Sequence, residues 1–173
     1  ELIGKYLPEY EEQGSLKHRH FYTDHLTLSG DALSAREYLL GNNDLLIGAM
    51  NVNKAMDNYY RNGDGDEMLF IHYGSGKVET MFGTLTYRQG DYVVIPIGTI
   101  YRVVPDEGVP TKILFVESFS QITTPRRYRN EYGQLLEHSP FCERDIRGPE
   151  TLLHYDEKGE YEVITKTRGY LHS

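Results

Sequence analysis

Two imidazoles one residue apart on a strand point at one ion, and Lys17-His18-Arg19-His20 holds the chain's His-x-His. The glutamate and glycine that would complete a strand-borne metal site do not follow, and the neighbours are basic. A solvated or interface strand is therefore the expectation for His18 and His20. His25, His72, His138, His154 and His172 share no ligand spacing and read as ordinary polar residues. Asn62-Gly63-Asp64-Gly65-Asp66-Glu67 alternates acidic side chains with glycine but lacks the distal bidentate glutamate of a calcium loop. A tight inter-strand turn is the better reading. Arg126, Arg127 and Arg129, with Arg144 and Arg147, have the forked donors to clasp a carboxylate or phosphate, and interface ion pairs are favoured for them. Cys142 stands beside Glu143 with no base to activate its thiol.

The elements that must position these residues are bounded by composition. A chain of 173 residues supports one ordinary core with extensions, not two comfortable cores. Its 18 basic and 26 acidic residues give a net charge of -8, which repels a phosphate backbone and argues against nucleic acid. No apolar run is long enough to span a bilayer, and Glu1-Leu2-Ile3-Gly4-Lys5 lacks the apolar block of a signal peptide. With Cys142 the single cysteine, the expectation is a cytoplasmic chain without an internal disulfide. Fifteen tyrosines, no tryptophan and 17 glycines favour short strands and tight turns.

Strand signals crowd between residues 45 and 118, read as the core. Met68-Leu69-Phe70-Ile71 suits a buried strand, and Gly74-Ser75-Gly76 reads as a hairpin turn. Val78, Thr80 and Phe82 alternate with Lys77, Glu79 and Met81. After Gly83, Leu85 and Tyr87 resume the alternation, and the chain reverses at Arg88-Gln89-Gly90-Asp91. Tyr92-Val93-Val94-Ile95 is too apolar for a strand with one wet face, so a central strand is predicted, ended by Pro96-Ile97-Gly98. Strands at Ile100–Val104 and Lys112–Val116 flank Pro105-Asp106-Glu107-Gly108. Such short antiparallel strands hide their edges by closing into a jelly roll. Residues 1–44 read as an N-terminal extension with partial strands, and 119–173 as an irregular arm with a late strand over Glu160–Lys166. Tyr128, Tyr132, Leu135, Leu136 and Phe141 supply apolar surface to dock that arm on the barrel or a neighbour.

Gly90, Pro96 and Gly98 match the second motif of the cupin barrel, G-x5-P-x-G-x2-H-x3-N, and Glu67 and Gly74 match the end of the first, G-x5-H-x-H-x(3–4)-E-x6-G. The fold class this resemblance implies is mainly β, a cupin-type jelly-roll barrel. The metal ligands are replaced. Tyr60 and Asn62 stand at the first two histidine positions, or Arg61 and Gly63 with the shorter spacing. Tyr101 stands at the third histidine and Pro105 at the asparagine. One remaining carboxylate among tyrosine and asparagine is a poor first-row metal site. The expectation is no metal, with Tyr60, Asn62, Glu67 and Tyr101 lining the barrel interior.

Longer stretches are more specific. Tyr59–Glu67 with Phe70–Gly76, then Gly90–Arg102, and above all Pro125–Arg147 (PRRYRNEYGQLLEHSPFCERDIR) resemble the N-terminal half of bacterial homogentisate 1,2-dioxygenases. The similarity runs from about Leu16 to the end of the chain. It implies a two-barrel enzyme that uses non-haem Fe(II) and O₂ to open homogentisate to maleylacetoacetate in tyrosine and phenylalanine breakdown. It also implies trimers or hexamers, with two histidines and a glutamate binding iron in the C-terminal barrel. No iron ligand of the family falls on a residue here. The implied role is a non-catalytic barrel that packs against an iron-bearing barrel or neighbouring subunits, with Arg126, Arg127, Tyr128, Arg129 and Tyr132 in an interface arm of a homo-oligomer. A stand-alone, metal-free cupin binding a small ligand is the alternative, and an acid/base isomerase lacks a His/Asp dyad.

Overall fold

The computed structural model describes residues 1–9, 15, 17–26, 29–151 and 158–173. His154 lies outside the described residues. The strands are β1 (Leu2–Lys5), β2 (Glu37–Gly41), β3 (Leu45–Val52), β4 (Tyr59–Asn62), β5 (Asp66–Tyr73) and β6 (Ser75–Thr80). They continue as β7 (Gly83–Arg88), β8 (Tyr92–Ile95), β9 (Ile100–Pro105), β10 (Thr111–Ser118), β11 (Val163–Thr167) and β12 (Tyr170–His172). Seven strands form one sheet in the order β1-β12-β11-β4-β9-β6-β7, and five form the other in the order β2-β3-β10-β5-β8. From β4 to β10 the chain passes repeatedly between the sheets, as a jelly roll requires. Leu69, Ile71, Val78, Val103, Ile113 and Phe115 fill the space between them. Each such buried side chain contributes about 1.5–3 kcal/mol.

Two turns differ from the sequence expectation. Gly74 does not close a hairpin: β5 and β6 belong to different sheets, so it carries the chain from one to the other. Its φ of +98° suits glycine, and a Cβ there would meet the Pro110 carbonyl oxygen at 2.6 Å. Arg88–Asp91 likewise transfers the chain from β7 to β8. The hairpin is β6–β7, with Val78 opposite Leu85 and Thr80 opposite Gly83. Thr80 Oγ1 closes that turn by accepting from the Phe82 amide and donating to the Gly83 carbonyl.

The central placement predicted for Tyr92–Ile95 is overturned, because β8 is the edge of the five-stranded sheet. Its apolarity has another cause. Register aligns Tyr92, Phe70, Leu114 and Ala49 in one row on the sheet's outer face, ended by the exposed Glu37 of β2. Val94, Met68, Val116, Ile47 and Leu40 form the next row. Both faces of this sheet are therefore apolar, whereas an antiparallel sheet with a wet face alternates.

The flanks join the barrel. β11 adds beside β4 in the one parallel pairing among the described strands, and β1 pairs with β12, so the two ends of the chain share a sheet. The short stretch from residue 17 to 20 is exposed and is not a strand, which corrects the reading of the His-x-His segment.

Candidate functional site

Alternation along β4 and β9 turns Tyr60 and Tyr101 inward as cross-strand neighbours, with ring centroids 5.6 Å apart and edge to face. Glu67 reaches the same space from β5 on the opposite sheet and is buried. The chain thus brings three of the four predicted interior residues together. Asn62 is buried but serves the turn: its Oδ1 accepts from the Asp64 and Gly65 amides at 2.9 and 3.2 Å. That supports the inter-strand turn read at Asn62–Glu67.

What lies between them is a cation that the motif comparison missed. The Asp31 carboxylate accepts from the Leu33 and Ser34 amides, and Ala35 N–H bonds the Asp31 carbonyl, which winds one tight turn with Ala32, Leu33 and Ala35 buried. Arg36 leaves that turn pointing into the barrel. Its Nη1 donates to Glu67 Oε1 at 2.5 Å, its Nη2 to Tyr101 OH at 2.9 Å and its Nε to the Ala32 carbonyl at 3.0 Å. Tyr101 OH donates onward to Glu67 Oε2 at 2.6 Å. The guanidinium carbon stands 5.1 Å from the ring centroids of both Tyr60 and Phe115. Burial by itself would lower the Arg36 pKa, but the Glu67 carboxylate with Tyr101 and Tyr60 outweighs it and holds the value well above the ordinary one.

A second buried cation has the same origin. Glu67 and Glu117 are directly opposite on β5 and β10, both facing inward. Adjacent like charges destabilise a sheet, and in a dry interior each needs its own counter-charge. Arg36 serves Glu67. Lys166 on β11 serves Glu117, with Nζ 2.5 Å from Oε1 and 5.9 Å from the rings of Tyr6 and Tyr38. Lys166 carried a sequence signal, since it is two residues after the inward Ile164 on one strand. Arg36 carried almost none, because a tight turn has no face alternation.

A first-row metal ion of the kind other cupin barrels bind does not fit this interior. A guanidinium already takes one oxygen of Glu67 and the hydroxyl of Tyr101, so a divalent ion there would face a permanently charged cation instead of donor atoms. Among the described residues no three His, Cys, Asp or Glu side chains converge. His18 and His20 are exposed, and the His20 ring lies 4.4 Å from Tyr22.

The interior tyrosines give a pH test. Burial, then Glu67, pushes Tyr60 and Tyr101 well up; burial raises Tyr38 as well, and takes Tyr6 and Tyr87 to about 12. Folded values above the free-tyrosine value of about 10 mean stability that is intact below that pH and lost as pH climbs through the folded values. In a titration followed at 295 nm these five phenols are expected to ionise late, in step with loss of circular dichroism. Their early ionisation in a still-folded chain would refute the packing described.

The arm is anchored at both ends. The Ile122 amide donates to Asp66 Oδ2 at 2.8 Å, and Arg147 pairs with Asp91 at 2.6 Å. Between these points, Asn130 Oδ1 accepts from the Tyr132 and Gln134 amides, and Arg127 stacks on Tyr128 at 4.7 Å. Arg126 and Arg127 are exposed, Tyr128 and Arg129 half-buried, and Tyr132 is 82% exposed.

Two packed sheets around a buried polar centre define a cupin, a double-stranded β-helix. A Klebsiella pneumoniae structure described as an uncharacterized conserved protein with a double-stranded β-helix domain matches 59% of this chain and 90% of its own, with a TM-score of 0.51 and 14% identity. The chain belongs to the family described as homogentisate 1,2-dioxygenase N-terminal, which matches residues 17–173. A Saccharolobus solfataricus protein named "Putative dioxygenase SSO1533" is 37% identical over 152 residues, 87% of this chain. The match spans 38% of that relative's length.

Proposed function

We propose that this chain is the metal-free structural barrel of a homogentisate 1,2-dioxygenase-like protein. Opening of homogentisate by Fe(II) and O₂ is then carried by an iron-bearing barrel against which this one packs. The observation that supports this reading is the Arg36 guanidinium, bonded to Glu67 and Tyr101 where a cupin would present ligands to an ion. The barrel contributes rigidity and contact surface, in a cytoplasmic homo-oligomer. The arm with its exposed arginines and Tyr132 supplies part of that surface.

The chain purified after growth with iron is expected to carry no stoichiometric metal by elemental analysis and to leave homogentisate unreacted under air with added Fe(II). Stoichiometric iron together with ring cleavage would overturn the proposal.

A further inference from the structure

We propose that a hollow on the outer face of the five-stranded sheet binds a small monocarboxylate with a compact apolar body, its carboxylate held by Lys112. The hollow offers about 300 Å³ between the sheet, which supplies Phe70, His72, Lys112 and Leu114, and residues 21–24, which form its other wall. A second space of about 500 Å³ adjoins it and shares Asp24, His72 and Lys112. A hollow of about 300 Å³ is at the small end of ligand sites and suits a molecule of one ring. The backbone is shaped toward the same point. β5 and β10 slip register there: Ile113 faces Ile71 but Lys112 faces Tyr73, so His72 is the extra residue of a bulge. Bulges re-aim side chains, and this one leaves His72 and Tyr73 both exposed beside Lys112.

The chain's own Asp24 shows which charge the site takes, because its carboxylate is paired with the Lys112 ammonium. Lys112, then His72 and His25, hold the Asp24 carboxyl below its usual range, so three basic groups surround this position. The two partners differ in depth. The Lys112 side chain is 19% exposed and that of Asp24 is 87% exposed. The lysine therefore belongs to the floor, whereas the aspartate stands in water and can turn away at little cost, since so exposed a pair contributes little. A bound carboxylate takes its place on Lys112, and the apolar body shields Phe70 and Leu114 from water. A cationic ligand would instead meet the ammonium of Lys112 on the floor. Glu37, the carboxylate that ends this row, is paired with Ala49 on β3 and does not line the hollow.

Titration of the chain with cyclohexanecarboxylate, followed by NMR at the ring protons of His72, tests the proposal. Saturable binding with a Kd of about 1 mM is expected, the affinity open to so small a ligand. Lys112→Met is expected to weaken binding at least about tenfold and Lys112→Arg to retain it. Asp24→Asn is expected to tighten binding about threefold, because the competing carboxylate is gone. Cyclohexanecarboxamide, alike in shape but uncharged, is expected to bind the wild type at least about tenfold more weakly than the acid. That comparison needs no variant, so it stands even if a substitution disturbs folding, which circular dichroism checks. Acid and amide binding equally, Asp24→Asn weakening the acid, or no saturable shift at His72 up to about ten times the expected Kd would overturn the proposal. The metal-free barrel proposed above does not depend on the outcome.

Discussion

Replacing Arg36 with methionine is expected to destabilise the folded chain by about 3–5 kcal/mol, read from urea denaturation at neutral pH. The side chains of Arg36 and Glu67 are 1% and 2% exposed. Methionine retains much of the packing against Tyr60 and Phe115 but leaves Glu67 beside Glu117 with a single cation to share. The loss would arise less from a missing attraction than from a buried carboxylate stripped of its counter-charge. The double variant Arg36→Met/Glu67→Gln is accordingly expected to be more stable than Arg36→Met. The Tyr101 hydroxyl, which donates to Glu67 and accepts from Arg36, would keep a neutral partner. A single variant within about 0.5 kcal/mol of wild type would show that water reaches the pair.

Lys166→Met is expected to cost a similar amount, about 3–5 kcal/mol, for the corresponding reason at Glu117. Both side chains of that pair are fully buried. The lysine comes from β11, whose parallel pairing with β4 places Lys166 opposite Asn62. The ion pair therefore ties a late strand to the centre of the barrel. Removal of Lys166 should loosen β11 and β12 first, so hydrogen exchange at Ile164 and Leu171 is expected to accelerate more than at Ile113. Equal acceleration throughout would mean the late strands unfold only with the barrel. In a cycle with Glu117→Gln, the two substitutions are expected to be strongly non-additive, because each single change leaves the other charge buried.

These two pairs explain how a degenerate cupin interior remains folded. Two inward glutamates on adjacent strands would oppose folding, yet each meets a cation from outside the central strands: Arg36 before β2 and Lys166 on β11. The segments before β2 and after β10 are thus part of the barrel's electrostatic balance.

The sequence by itself determined the local features. Alternation and glycine–proline punctuation located most strands, because side-chain direction repeats every two residues and turns need particular backbone angles. Resemblance to the cupin motifs put Tyr60, Asn62, Glu67 and Tyr101 at interior positions, and strand alternation turns Tyr60, Glu67 and Tyr101 inward. The long stretch Pro125–Arg147, which contains no strand, pointed to the family by its residue order alone.

Only the tertiary structure decided the sheet to which each strand belongs. A turn such as Gly74 looks alike whether it closes a hairpin or crosses between sheets, and Tyr92–Ile95 is as apolar at an uncovered edge as in a centre. It also decided what fills the middle of the barrel. Arg36 is 31 residues from Glu67 and 65 from Tyr101, and Lys166 is 49 from Glu117. Charge compensation over such separations is set by the packing of whole sheets, and no local pattern of residues records it.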